Sequence, residues 1–136
     1  MIPSMVWYLI GALGLALLMI VHEGGHYLAA RMFGMRVLRF SIGIGPTIWK
    51  RQVGEHGTIF QVALVPFLAY VQIAGMNPYE EVDANDRSLF PNQGVLARIT
   101  TIVAGPLANY LFAVLVVFCV ALIGWPDSRA VSRIMD

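Results

Sequence analysis

His22, Glu23 and His26 stand together in the run Val21-His22-Glu23-Gly24-Gly25-His26. On a helix, four residues separate two side chains by about 40° around the axis and roughly 6 Å along it, so both imidazoles face one point. Two neutral imidazole nitrogens so placed can hold one Zn²⁺ at about 2.0–2.1 Å. Glu23 follows His22 at about 100° around the axis, which brings its carboxylate to the side where a bound water would sit. The chemistry this permits is hydrolysis. Zinc lowers the pKa of the water and polarises a carbonyl, while Glu23 takes the proton and passes it to the leaving amine. Gly24 and Gly25 leave little side-chain bulk over the site. The competing structural reading is a buried polar cluster that hydrogen-bonds neighbouring helices.

The setting weighs between them. Residues 6–30 carry no other charged or strongly polar side chain, and residues 99–124 carry no ionisable group except Tyr110 and Cys119. Each stretch exceeds the roughly 20 apolar residues that span a bilayer. Ionisable groups inside a span cost about 2.5 kcal/mol or more each on insertion scales, so three clustered together need a compensating role. The first stretch lacks the basic start and cleavage-type motif of a signal peptide and is read as a retained span. Apolar residues make up 58% of the 136 and charged ones 12%, about half the charge of an ordinary globular chain. With a net charge of +1 and no long basic run, nucleic acid is excluded as a partner and the lipid bilayer is expected as one. A single cysteine, Cys119, excludes an intrachain disulfide.

The elements that position the triplet follow from the rest of the chain. The first span, residues 6–30, starts near interfacial Trp7 and Tyr8, and Gly11 and Gly14 offer a small-residue packing patch. Residues 35–76 read as a β-rich segment: 37–42 alternates as a strand, Gly43-Ile44-Gly45-Pro46 is turn chemistry, Ile48 and Trp49 begin a second strand, 58–65 is a third ended by Pro66, and 70–73 resumes it. It is more apolar than a cytoplasmic loop requires, which suits a short antiparallel sheet tucked beside the helices. Residues 77–94 are a polar connector with Glu80, Glu81, Asp83, Asp86 and Arg87, read as solvated. The second span, residues 95–124, contains Gly105-Pro106-Leu107-Ala108-Asn109, where the proline frees a carbonyl near Ile102. Asn109 is a candidate substrate-binding residue, its amide able to hydrogen-bond a substrate backbone or an oxyanion; an interhelical hydrogen bond is the alternative. His56 is read as solvated, and Asp127 and Asp136 follow the second span on the side away from the His pair. Seven Lys and Arg lie from Arg31 to Arg98, the last in the opening turn of the second span, and two lie beyond it, which predicts both termini outside and the central segment in the cytoplasm.

Taken in order, these motifs resemble the site-2 protease family of intramembrane zinc metalloproteases, in particular its bacterial regulated-intramembrane-proteolysis branch. The resemblance rests on residues 22–31, on 39–46, on Gly57-Thr58 through Pro66 with Tyr70-Val71, and on 104–109. It implies that His22 and His26 are metal ligands and Glu23 the catalytic base. It further implies that the β-segment presents substrate as an added strand and that Asn109 is the family's second-span asparagine near the active site. The implied substrates are single-span membrane proteins, such as anti-sigma factors or signal-peptide remnants, and the implied location is the bacterial inner membrane.

Two features depart from the family pattern. Phe67-Leu68-Ala69 stands where members usually have Gly-Gly after the proline matching Pro66. The family's third zinc ligand, an aspartate of an Asn…Pro…Asp-Gly element in a later span, has no match in this chain. The expectation is a mainly α membrane protein, two transmembrane helices around a membrane-associated antiparallel β-segment, forming the N-terminal part of a zinc endopeptidase. The missing C-terminal half would carry the Asp ligand. The alternative is a truncated, inactive homologue acting as a membrane binding or adaptor module. A membrane protease of the prenyl-peptidase type is disfavoured by the β-segment and the Gly-Pro-x-x-Asn span.

Overall fold

The computed structural model describes residues 4–54 and 57–124. Helix α1 spans Ser4–Met32 and helix α2 spans Val95–Ile123, 29 residues each. Between them lie strands β1, Val37–Gln52, and β2, Ile59–Ile73, followed by a 3-10 turn at Phe90–Asn92. Both helices are long and apolar enough to cross a membrane, at about 1.5 Å per residue against a hydrocarbon core of about 30 Å. Leu9, Leu13 and Leu17 of α1 and Leu107, Leu111 and Leu115 of α2 are exposed. A continuous apolar surface of this kind is unfavourable in water and comfortable in lipid. The expected fold class, two long apolar helices around an antiparallel β-segment, is the architecture observed.

Each strand folds over partway, so the two contribute four short segments. Residues 39–42 have partners on both sides: 69–72, running antiparallel, and 59–62, whose numbers rise in step with theirs. Residues 59–62 are likewise flanked on their other side by 49–52. The order across the sheet is therefore 47–52, 59–63, 37–42, 69–73. Gly43 and Gly45, at φ of 93° and 95°, turn β1 over, a backbone region that costs glycine nothing. A Cβ on Gly43 would also stand 2.8 Å from the Val65 carbonyl oxygen. Pro66 does not end β2, as the sequence suggests, but lies inside it. It falls between the Ile44–Val65 and Ile42–Ala69 pairs, in the exposed stretch where β2 turns over and no ladder hydrogen bond is required of it.

The two faces of the sheet differ. The row Arg51-Phe60-Phe40-Val71 turns its aromatics to α1, where the Tyr27 ring stands edge-on to Phe40 and Phe60 at 5.7 and 5.6 Å. The row Lys50-Gln61-Ser41-Tyr70 carries a polar network instead. Gln61 Nε2 donates to Ser41 Oγ at 3.0 Å and to the Tyr70 hydroxyl at 3.3 Å, and Ser41 Oγ donates to the Gly43 carbonyl. Around the end of α1, Ala30, Met35, Val37, Ile73 and Ala97 form the buried core, with Tyr27, Phe33, Val71 and Phe90 packed on it. That core locks the sheet's 69–73 edge beside the His-Glu-His turn. Gly11 and Gly14 meet nothing within 4 Å of a built Cβ; among the described residues the helices touch lower down, at Gly25.

The connector is exposed yet tied. Asp86 pairs with Arg36 at 3.1 Å and accepts from both the amide and the hydroxyl of Ser88 at 2.8 and 2.7 Å. Those Ser88 hydrogen bonds, with a smaller contribution from Arg36, hold the Asp86 carboxyl below its ordinary value of 3.8 against a small opposing effect of desolvation. A lowered carboxylate pKa means that its contribution to folding is complete above the ordinary value and lost as pH falls through the lowered one. The Ser88 amide is thus expected to keep its hydrogen-exchange protection until the pH drops below 3.8, and Asp86→Ala to remove that protection at neutral pH. Unchanged protection in Asp86→Ala would contradict this.

Candidate metal and catalytic centre

The His22 and His26 rings lie one turn apart on α1 with centroids 4.9 Å apart and planes at 80°. Their Nε2 atoms face each other at 3.2 Å. Two nitrogens bonded to one tetrahedral zinc at about 2.0–2.1 Å stand roughly 3.3–3.4 Å apart. The pair is thus already at the separation that a shared metal requires. His26 Nδ1 lies 2.7 Å from the Thr101 carbonyl oxygen. A carbonyl only accepts, so Nδ1 carries the ring proton and the Nε2 lone pair is free. This is the outer hydrogen bond that orients a metal-ligating histidine. Pro106 lies inside α2, but the carbonyl that His26 takes belongs to Thr101, one residue before Ile102.

Helix α2 reaches the rings because small residues meet there. A Cβ on Gly25 would stand 2.2 Å from the Ala104 carbonyl oxygen, and one on Gly105 would stand 2.3 Å from His26 Nε2 and 2.9 Å from His22 Nε2. Neither position admits a side chain without displacing a neighbour. Thr101, Gly105 and Asn109 recur every four residues and so form one stripe of α2 facing α1. The last of them sets its Nδ2 3.3 Å from His22 Nδ1.

Glu23 faces the sheet. Its Oε2 accepts from the Val71 amide at 2.9 Å, a donor at the 69–73 edge that the ladder leaves pointing outward. Glu23, His26, Val71, Ile73, Met76, Thr101 and Ile102 line a cavity of about 230 Å³. The Glu23 carboxylate, the His26 imidazole and the sheet edge therefore share one space. Among the described residues no set of three His, Cys, Asp or Glu closes on a metal, and His22 and His26 are the candidate ligands there. The donor chemistry and their spacing fit zinc, with at least one further ligand to be supplied.

Of the residues expected from the sequence, His22, Glu23 and His26 come together, and Asn109 joins them through His22. His56, Asp127 and Asp136 lie outside the described residues. Three contributors went unread in the sequence: the Thr101 carbonyl, Gly105 and the Val71 amide. The four-residue spacing of Thr101, Gly105 and Asn109 is the signal that marks the first two.

Residues 10–132 match Peptidase family M50, a range that holds the His-Glu-His turn, both strands and the Gly105-to-Asn109 stripe. The chain belongs to this family. It is the site-2 protease family that the ordered motifs resemble, and its members are membrane proteases. The chain is similar to the regulator of sigma E protease of Haemophilus influenzae, with 43% identity over 88% of the chain and 27% of the relative. It is also similar to the protease RseP of Yersinia pestis, 40% identical over 94% of the chain and 28% of that protein. The regulator of sigma-E protease RseP of Escherichia coli is 38% identical over the same shares, 94% and 28%. The chain thus spans between a quarter and a third of the length of these curated relatives.

Proposed function

We propose that this protein supplies the ligand-and-base portion of an M50 zinc endopeptidase that cuts single-span membrane proteins. The observation that carries the reading is the 3.2 Å approach of the two Nε2 atoms, with Glu23 and His26 lining one cavity. His22 and His26 hold Zn²⁺, and an aspartate from a later segment of the complete enzyme is the third ligand. Bound there, the metal supplies Lewis acidity toward a peptide carbonyl and acidifies water. Glu23 takes the proton of the attacking water and returns it to the leaving amine. The 69–73 edge accepts the substrate as an added strand, which lays its backbone along the Glu23 cavity. The second amide atom of Asn109, Oδ1 as placed, is buried without a hydrogen-bond partner, and we assign that end of the amide to the substrate backbone.

Relatives named as regulators of a sigma factor favour an anti-sigma-factor-like substrate over a signal-peptide remnant. We place the chain in the bacterial inner membrane with its termini outside and the sheet on the cytoplasmic side. That orientation has a simple readout, since a reporter fused at Met1 is expected outside the cytoplasm. The metal site is tested by titrating Zn²⁺ into the purified protein in lipid nanodiscs. His22→Ala and His26→Ala are each expected to lose binding by two orders of magnitude or more, and binding that survives both changes would place the metal elsewhere.

A further inference from the structure

The cavity beside Glu23 has one polar corner and an apolar remainder. Glu23, His26 and Thr101 line it together with Val71, Ile73, Met76 and Ile102. The Thr101 hydroxyl is already committed, donating to the Ala97 carbonyl at 2.8 Å, and its carbonyl oxygen lies 2.7 Å from His26 Nδ1. Glu23 and His26 therefore carry the polar side-chain atoms left for a guest. The last four side chains offer no donor, and no acceptor beyond the weak thioether of Met76. At about 230 Å³ the space is smaller than the roughly 300–1,000 Å³ clefts that take drug-sized ligands. It has the scale of a single side chain.

Three elements hold the apolar walls. Val71 and Ile73 stand two apart on β2 and so point to one face of the sheet, and Ile73 belongs to the buried core. Met76 follows in a turn pinned through its amides: Ala74 donates to the Arg36 carbonyl at 2.9 Å, Gly75 to Glu80 Oε2 at 2.8 Å and Met76 to the Ile73 carbonyl at 3.2 Å. Ile102 comes from α2. Met76 and Ile102 are 47% and 54% exposed, so these two can change size without opening the core. We propose that the cavity is a specificity pocket for one substrate residue flanking the scissile bond, and that Met76 and Ile102 set the size it admits. The residue it takes is aliphatic and of about leucine size, a type that fills membrane-spanning segments. An asparagine of similar shape would bring its amide into apolar surroundings without a partner, which is costly.

The pocket's role rests on Glu23 and His26 forming the reaction centre, as proposed above, and the test tells the two apart. In the complete protease, embedded in lipid nanodiscs, kcat/KM is compared for single-span substrates that differ only at the two residues flanking the cut, each set in turn to alanine, leucine, asparagine or phenylalanine. At one of the two positions the wild type is expected to prefer leucine to asparagine by about tenfold or more. Met76→Ala and Ile102→Ala widen the pocket and are each expected to raise the phenylalanine-to-leucine ratio there by about tenfold, with the other position and the zinc content unchanged. Ile102→Phe narrows it and is expected to turn the preference to alanine. Wild-type ratios in all three variants would overturn the pocket, and so would a rate lost equally for every substrate. Glu23→Gln is measured alongside. Undiminished cleavage there would remove the reaction centre itself, whereas its loss beside unchanged ratios in the Met76 and Ile102 variants would remove the pocket alone. Should the Ile102 variants fail to fold, Met76→Ala, outside both helices and both strands, decides the matter.

Discussion

Glu23→Gln in the complete protease is expected to stop cleavage of its membrane substrate while zinc stays bound. The substitution keeps the length of the side chain and an oxygen that can accept from the Val71 amide, so the contact to the sheet edge at 2.9 Å survives. It leaves His22, His26 and their outer partners Asn109 and Thr101 untouched. What it removes is basicity. General base catalysis contributes about 10²–10⁴-fold, and loss in that range at unchanged metal content is the predicted result. The measurement pairs single-turnover cleavage with metal analysis on the same sample. Activity within a few-fold of wild type would move the base to another residue. Loss of zinc along with activity would make Glu23 a ligand.

The His-Glu-His turn was legible because side-chain type and helical period carry its whole meaning: two imidazoles four apart and a carboxylate beside them need no tertiary information. The β-segment was legible to the same depth. Gly43, Gly45 and Pro66 mark where the strands fold over, whichever way they then pair. The pairing itself was hidden. That residues 39–42 lie between 59–62 and 69–72 depends on contacts distant in sequence, which alternation does not encode. The helix contact was hidden for a related reason. Gly11, Gly14, Gly25 and Gly105 are equally small, and only a partner's position separates the open pair from the two that nearly touch other atoms. The Thr101 carbonyl and the Val71 amide are backbone groups, present at every residue, so no side chain announces them. The sequence thus displays the candidate reacting groups and conceals most of what holds them still.

Gly105 is where that concealment has the largest consequence. In an isolated helix Gly→Ala is favourable by about 0.8–1.0 kcal/mol, so α2 alone would gain from the change. Here the added Cβ would stand 2.3 Å from His26 Nε2, 2.6 Å from its Cε1 and 2.9 Å from His22 Nε2. Those are the atoms assigned to the metal. The His26 ring cannot simply swing away, since its Nδ1 is held by the Thr101 carbonyl at 2.7 Å. Either the rings part or α2 retreats, and both outcomes end the 3.2 Å approach of the Nε2 atoms. Gly105→Ala is therefore expected to lower zinc affinity by two orders of magnitude or more with helix content unchanged, and to abolish cleavage in the complete enzyme. Gly14→Ala, in open surroundings, is expected to bind zinc like the wild type. Gly25→Ala meets backbone at Ala104 rather than a ring, so it should separate the helices and lower thermal stability as well. Chelator competition alongside circular dichroism distinguishes the three, and wild-type zinc affinity in Gly105→Ala would show that the rings bind metal from another direction.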